Sequence, residues 1–127
     1  MIKDFLIISF TGQNDKIGLK INNNFFIHNF QNNNKNNEIL TSTILNFTNK
    51  HKVNISEQFT ILVNMGPGKF SSIRVALSVV KGIKISTKAN IFGFKNSNLL
   101  QFNLANIEVL INKNLITKKL IKPLYLS

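Results

Sequence analysis

The chain has 127 residues, of which 43% are hydrophobic, and this is enough for one domain with its own core. It carries 16 lysine and arginine residues against five carboxylates, for a formal net charge of +11, and it has no cysteine. The lack of cysteine excludes disulfides, thiolate metal sites and cysteine nucleophiles, and it is typical of a reducing compartment.

The start of the chain, "MIKDFLIISF", is not typical of an export signal. Its apolar run is shorter than the ~7–15 residues of a secretory signal, and it lacks a small-residue cleavage site. No window approaches the ~18 apolar residues that a membrane span needs. We therefore expect a cytoplasmic protein with no membrane partner.

The positive charge has two interpretations. Clustered lysines attract phosphates, which favours a basic face that binds nucleic acid. However, all but one of the 16 basic residues are lysine, and asparagine and isoleucine are abundant, as the codon usage of an AT-rich genome would produce. Scattered lysines on a solvated surface are then the alternative, and the sequence leaves both open.

Three short segments rich in β-branched and aromatic residues open the chain, and turn-forming residues separate them. They read "DFLIISF", "KIGLKI" and "NNFFIHNF". This pattern predicts an antiparallel meander of three strands. The polar stretch "QNNNKNN" that follows has too few apolar groups to pack.

Helices and strands then alternate. Leu40, Ile44 and Phe47 recur at helical spacing and predict a first helix from Glu38 to about Lys50. The apolar run "FTILVN" is typical of a buried strand, a second helix is predicted over residues 71–84, and "KANIFGF" predicts a last strand. The order predicts an α/β fold in which a mixed sheet of about five strands, a meander and then a βαβ unit, carries two main helices.

The terminal segment, residues 95–127, is compatible with two structures. The alternation in "IEVLINKNLITKKLI" around "NKN" favours a hairpin. A short helix across "NLLQFNLANI" fits the pattern equally well.

The second predicted helix has two apolar faces. One face would pack on the sheet and consists of Ile73, Ala76, Leu77, Val80 and Ile83. Val75 and Val79 form a second apolar stripe, which the small residues Ser72 and Gly82 flank. Because a helix on a lone sheet needs only one stripe, either the first helix covers the second stripe or a partner helix packs on it.

The segment Gly66-Pro67-Gly68 is the densest cluster of turn-forming residues. A strand, a glycine turn and a helix N-terminus form a generic anion site, because unpaired N–H groups point at the ligand. The segment "GPGKFSS" is not a Walker loop, however, and Pro67 removes one of the amides that a phosphate cradle would use. We therefore expect a structural turn in which Gly66 and Gly68 supply the bend and Phe70 anchors it.

No catalytic constellation is predicted. The five carboxylates are spread along the chain without metal-ligand or acid/base spacing. His28 and His51 have no second histidine four residues on, and Ser71 and Ser72 are best explained as helix caps. We expect no catalytic residue, no metal and no cofactor.

The stretch "GPGKFSSIRVALSVVKGIKISTKANIFGF" resembles a motif of the TsaB (YeaZ) family, accessory subunits of the bacterial tRNA threonylcarbamoyladenosine machinery. This family belongs to the Gcp-like group with an actin/Hsp70-type (ribonuclease H-like) fold. The matching positions are Gly66, Pro67, Gly68, Phe70, Arg74, Lys81 and Gly82. The ending "KPLYLS" is similar to the family's closing segment.

The chain departs from the family pattern at several places. Ser9 stands in place of an aspartate at the end of the first strand, and Ser71-Ser72 replaces Thr-Gly. Asparagines near Asn36 replace the histidine that begins the first helix. The resemblance implies that residues 1–127 form a single first lobe, with the second lobe largely absent.

The resemblance also implies a function. The chain would be a non-catalytic subunit that pairs helix to helix with the synthase subunit TsaD, and that reaches tRNA through the complex. The implied interface includes Ser72, Val75, Val79 and Gly82 of the second helix and Ile44 and Phe47 of the first. A TsaE-type ATPase and a second copy of the chain are further possible partners. The alternatives are a nucleotide-binding enzyme that uses the Gly-Pro-Gly loop, or a basic RNA-binding module.

Overall fold

Five strands and three helices follow one another in a computed structural model that describes residues 2–31 and 35–118. The elements are β1 (Phe5–Ser9), β2 (Lys16–Ile21), β3 (Asn24–Asn29), α1 (Asn36–Lys50), β4 (Thr60–Asn64), α2 (Phe70–Thr87), β5 (Asn90–Phe94) and α3 (Leu104–Asn112). A short 3-10 turn, Asn96–Asn98, lies between β5 and α3.

The strands form one mixed sheet in the order β3-β2-β1-β4-β5. β1, β2 and β3 are antiparallel neighbours, whereas β4 and β5 run parallel to β1. Ile7 of β1 lies opposite Gly18 of β2 on one side and Leu62 of β4 on the other. The predicted α/β fold with a five-stranded mixed sheet is confirmed, and α3 adds a third helix.

Buried strand side chains lie on both faces of the sheet, because successive side chains along a strand point to opposite sides. α1 and α2 cover one face, where the largest cluster includes Leu6, Ile8, Ile61, Val63, Leu40, Ile44, Ile73, Leu77 and Val80. α3 covers the other face, where the cluster consists of Phe5, Ile7, Leu62, Phe94, Ile107 and Leu110. α1 and α2 also contact each other. α1 leads to the start of β4 and α2 to the start of β5, both of which run parallel to β1, so the two helices run side by side in the same direction.

The segment after β5 is helical where the sequence left a hairpin open. α3 begins at Leu104, and the side chain of Asn103 caps it by accepting a hydrogen bond of 2.8 Å from the backbone N–H of Asn106. The alternating segment "IEVLI" lies inside this helix. Beyond it, Thr117 exchanges two backbone hydrogen bonds of 2.9 Å with Gly93. The ending "KPLYLS" lies outside the described residues.

Candidate functional site

The Gly-Pro-Gly loop joins β4 to α2 and packs against the end of β1. Gly66 has a φ of +100°, a conformation that glycine adopts without the cost of a side chain. At Gly68 a Cβ atom would lie only 2.9 Å from the backbone oxygen of Thr11, which also accepts a hydrogen bond of 2.8 Å from the N–H of Lys69. The first glycine therefore allows the bend, and the second allows the loop to contact the turn that follows β1.

Asn64 connects this loop to two other strand ends. Its side chain is fully buried at the carboxyl end of β4. The Nδ2 atom donates to Ser9 Oγ at 3.2 Å and to Asn96 Oδ1 at 2.9 Å, while Oδ1 accepts from the N–H of Gly66 at 2.8 Å. One amide thus holds the ends of β1 and β4 and the segment after β5 in fixed positions.

Asp15 organises the turn between β1 and β2. Its Oδ1 atom accepts hydrogen bonds of 2.9 Å from the backbone N–H groups of both Thr11 and Gly12. Burial raises the pKa of this carboxyl, while hydrogen bonds from Gly12, Thr11 and Gln13 and the charge of Lys69 oppose part of the increase. The hydrogen bonds from Thr11 and Gly12 hold the Asp15 carboxyl in this turn.

A cleft of about 940 Å³ lies between these loops, at the carboxyl ends of the parallel strands. Both α1 and α2 begin at the cleft, and neither has a side-chain hydrogen bond at its N-cap. The lining includes Thr11, Gly12, Asp15, Asn36, Asn37, Pro67, Gly68, Lys69, Ser71, Ser72 and Asn96. The partial positive charge and the unpaired N–H groups at the two helix N-termini favour an anion in the cleft.

Polar groups of the cleft wall do not form an acid/base pair. Asp15, the carboxylate of the lining, is held by backbone N–H groups. Asn36 donates from Nδ2 to the carbonyl oxygen of Gln31 at 2.7 Å, and its buried Oδ1 has no hydrogen-bond partner in the part of the chain that the structure describes. Within residues 2–31 and 35–118, no group of three histidine, aspartate or glutamate side chains could hold a metal ion.

Neither histidine lines this cleft, and both contact aromatic rings. His51 stacks on Phe26 with ring centroids 4.0 Å apart. His28 contacts Phe30 edge to face at 5.3 Å. Both histidines therefore pack against aromatic side chains.

The start of α2 differs from the sequence prediction in two respects. The helix begins at Phe70 after Lys69 as N-cap, so Ser71 and Ser72 lie within the first turn and the prediction that they cap the helix is wrong. Phe70 is 56% exposed, so its side chain lies largely at the surface and outside the core. The guanidinium carbon of Arg74 lies 5.8 Å from the centre of the Phe70 ring, so these two motif residues stack on the surface.

The six residues predicted at the interface do not form one accessible surface. Ile44, Phe47 and Ser72 are buried within the chain, with Ile44 only 1% exposed. Because α1 and α2 pack on the sheet and on each other, these side chains belong to the core, and this part of the prediction requires correction. Val75 and Val79 are partly buried against the same core, and Gly82 is exposed.

The α1/α2 layer still presents apolar side chains to its surroundings. A Cβ atom at Gly82 would meet nothing within 4 Å, so the backbone of α2 is open to close approach there. The large exposed apolar residues of the two helices are Ile39, Leu45, Phe70 and Ile85, with Leu45 52% and Ile85 83% exposed.

The fold is similar to that of YeaZ from Pseudomonas aeruginosa, with a TM-score of 0.70 and 14% sequence identity over 89% of this chain and 50% of that one. A second solved structure is described as an uncharacterized protein with similarity to peptidase YEAZ from Pseudomonas aeruginosa. It matches with a TM-score of 0.69 and 16% identity over 78% of this chain and 46% of its own. The chain has a YeaZ-type fold. The predicted fold class is thereby confirmed.

The chain spans about half the length of the solved structures that it matches. No protein-family model matches it, and a search of curated proteins returns no match. In the described residues, no helix is both long and apolar enough to cross a membrane.

Sequence reasoning did not identify Asn64 and Asp15 as the residues that organise the site. A signal for each was present. Asn64 is a polar residue at the end of the apolar run "FTILV", and Asp15 is one of only five carboxylates and closes the turn "TGQND". Their partners come from distant segments or from backbone amides, which spacing in the sequence does not reveal.

Proposed function

We propose that the chain is a non-catalytic, cytoplasmic scaffold subunit that pairs helix to helix with a TsaD-type synthase subunit. In this role it supports transfer of a threonylcarbamoyl group to the adenosine next to the tRNA anticodon. The YeaZ-type fold supports the proposal, together with the match of seven motif positions in and after the Gly-Pro-Gly loop.

The observation that carries the proposal is the α1/α2 layer. The stripe of Val75 and Val79 remains partly exposed, and the exposed Gly82 lies one turn beyond Val79. Small residues allow helix backbones to approach closely, and apolar area removed from water stabilises the contact by about 25 cal/mol per Å². Leu45 of α1 adds a further exposed apolar side chain to the same layer.

The pairing can be tested by co-purification with the TsaD-type subunit of the same genome. Val75→Glu and Val79→Glu place a charge in the proposed contact, and each should reduce recovery of the complex at least tenfold, because an unpaired buried charge is strongly unfavourable. Gln101→Glu is the matched control, since it adds the same charge at an exposed loop position beyond β5. Wild-type recovery of both valine variants would refute the interface.

A further inference from the structure

Basic side chains form a strip along one side of α2. Arg74 and Lys81 are seven residues apart, and Lys88 follows seven residues later at the C-cap. Lys84 lies between Lys81 and Lys88. Seven residues are close to two helical turns, so Arg74, Lys81 and Lys88 share one side of the helix over roughly 21 Å, and Lys84 lies about 60° away from Lys81 around the helix axis. These four residues are here called the basic strip. All four side chains are exposed.

The segment that contains the basic strip has no carboxylate. Residues 58–107 include six basic residues and no aspartate or glutamate. Glu108, the next carboxylate along the chain, belongs to α3 on the opposite face of the sheet. Lysines three and four residues apart repel one another, so an external anion on the strip would relieve this repulsion.

Helix electrostatics explain only part of the basic strip. Lysines near a helix C-terminus are stabilised by the helix dipole, which accounts for Lys84 and Lys88. Arg74 lies in the second turn and Lys81 beyond the middle, where this effect does not reach. Arg74 and Lys81 instead extend the row of positive charges along the helix towards its N-terminus.

The basic strip and the apolar stripe occupy different sides of α2. Adjacent helical residues are about 100° apart, so Arg74 and Val75 point in different directions, as do Lys81 and Gly82. A partner helix on Val75 and Val79 would therefore leave the basic strip accessible.

We propose that the basic strip binds the phosphate backbone of RNA. Its line of flexible lysines suits repeated phosphates rather than base edges, and the net charge of +11 attracts a large polyanion from a distance. At the start of the strip, the guanidinium of Arg74 lies over the ring of Phe70, which is 56% exposed. The choice of RNA over DNA rests on the proposed function, whereas the strip itself recognises only phosphates.

The test uses the isolated chain and a fluorescein-labelled tRNA transcript, without any synthase subunit. Lys81, Lys84 and Lys88 are replaced together by glutamine, which is a good helix former. The control replaces Lys16, Lys52 and Lys113 by glutamine, which gives the same net charge but changes three other surfaces. Circular dichroism checks that both variants keep the helix content of the wild type.

For the wild type, we expect affinity to fall roughly a hundredfold between 50 and 200 mM salt if about four phosphates are contacted. The strip variant should lose at least tenfold in affinity at 50 mM salt, and its salt slope should decrease by about three, one for each phosphate contact removed. The control should change the affinity less than threefold.

Three results would overturn the proposal: no binding at 50 mM salt, an equal loss in the strip and control variants, or tighter binding of labelled polyglutamate than of the transcript. The last result would assign the strip to an acidic protein. The test is separable from the proposed pairing, because Val75→Glu should retain RNA binding and the strip variant should still co-purify with the synthase subunit.

Discussion

Asp15 places a carboxylate in the interior, at the turn between β1 and β2, where two backbone N–H groups hold it. Because the pKa of the Asp15 carboxyl is raised, the native chain binds a proton at this group more tightly than the unfolded chain does. Its contribution to the free energy of unfolding should therefore fall as the pH rises above the ordinary aspartate value of about 3.9.

Asp15→Asn keeps the acceptor oxygen and removes the ionisation. Relative to the wild type, this variant should gain stability as the pH increases from about 4 to 7, as measured by urea unfolding at several pH values. Asp15→Ala, which leaves two N–H groups without their acceptor, should cost about 1–3 kcal/mol. The same pH dependence in the wild type and Asp15→Asn would contradict this account of the carboxyl group.

Asn64 shows why single residues were the hardest part of the site to predict. Its amide bonds to Ser9, 55 residues earlier, and to Asn96, 32 residues later. Hydrophobic periodicity identifies the strand that ends at Asn64 but carries no information about which other strand ends lie beside it. Such contacts follow from the sheet order β3-β2-β1-β4-β5, which is a property of the folded chain.

At the scale of the elements, two glycines of α2 and the loop before it differ in whether they tolerate a side chain. Gly82, inside the helix, tolerates one, whereas Gly68, in the loop that precedes the helix, does not. At Gly68 an added Cβ would meet Thr11, including its backbone oxygen, so Gly68→Ala should lower the free energy of unfolding by about 1–3 kcal/mol. At Gly82 a Cβ has open space within the helix, so Gly82→Ala should raise it by about 0.8–1 kcal/mol. Chemical denaturation of the two variants measures both effects, and a loss of stability in Gly82→Ala would contradict the description of that position.

The strands and helices themselves were largely predictable because their apolar patterns are regular. The alternating and continuous runs locate all five strands, and the spacing of Leu40, Ile44 and Phe47 locates α1. The start of α2 was misplaced by one residue and its serines were given the wrong role, because a tertiary hydrogen bond from Lys69 to Thr11 fixes where the helix begins. The ambiguity after β5 could have been resolved by Asn103, which caps α3.

For the whole molecule, the arrangement of α1 beside α2 decides which residues can meet a partner. Sequence periodicity placed Ile44 and Phe47 on an apolar face but could not show that the sheet and α2 bury that face. What remains accessible is a pair of parallel helices with the Val75/Val79 stripe on one side and the basic strip on another. The first surface is the proposed contact for a partner helix, and the second is the proposed contact for RNA.

The most direct test of the central claim is reconstituted tRNA threonylcarbamoylation with the TsaD-type subunit and the remaining components from the same genome. Product should form with the wild-type chain and with Gln101→Glu, and should fall at least tenfold without the chain or with the Val75→Glu/Val79→Glu double variant. Undiminished modification in the absence of the chain would contradict its role as a required scaffold.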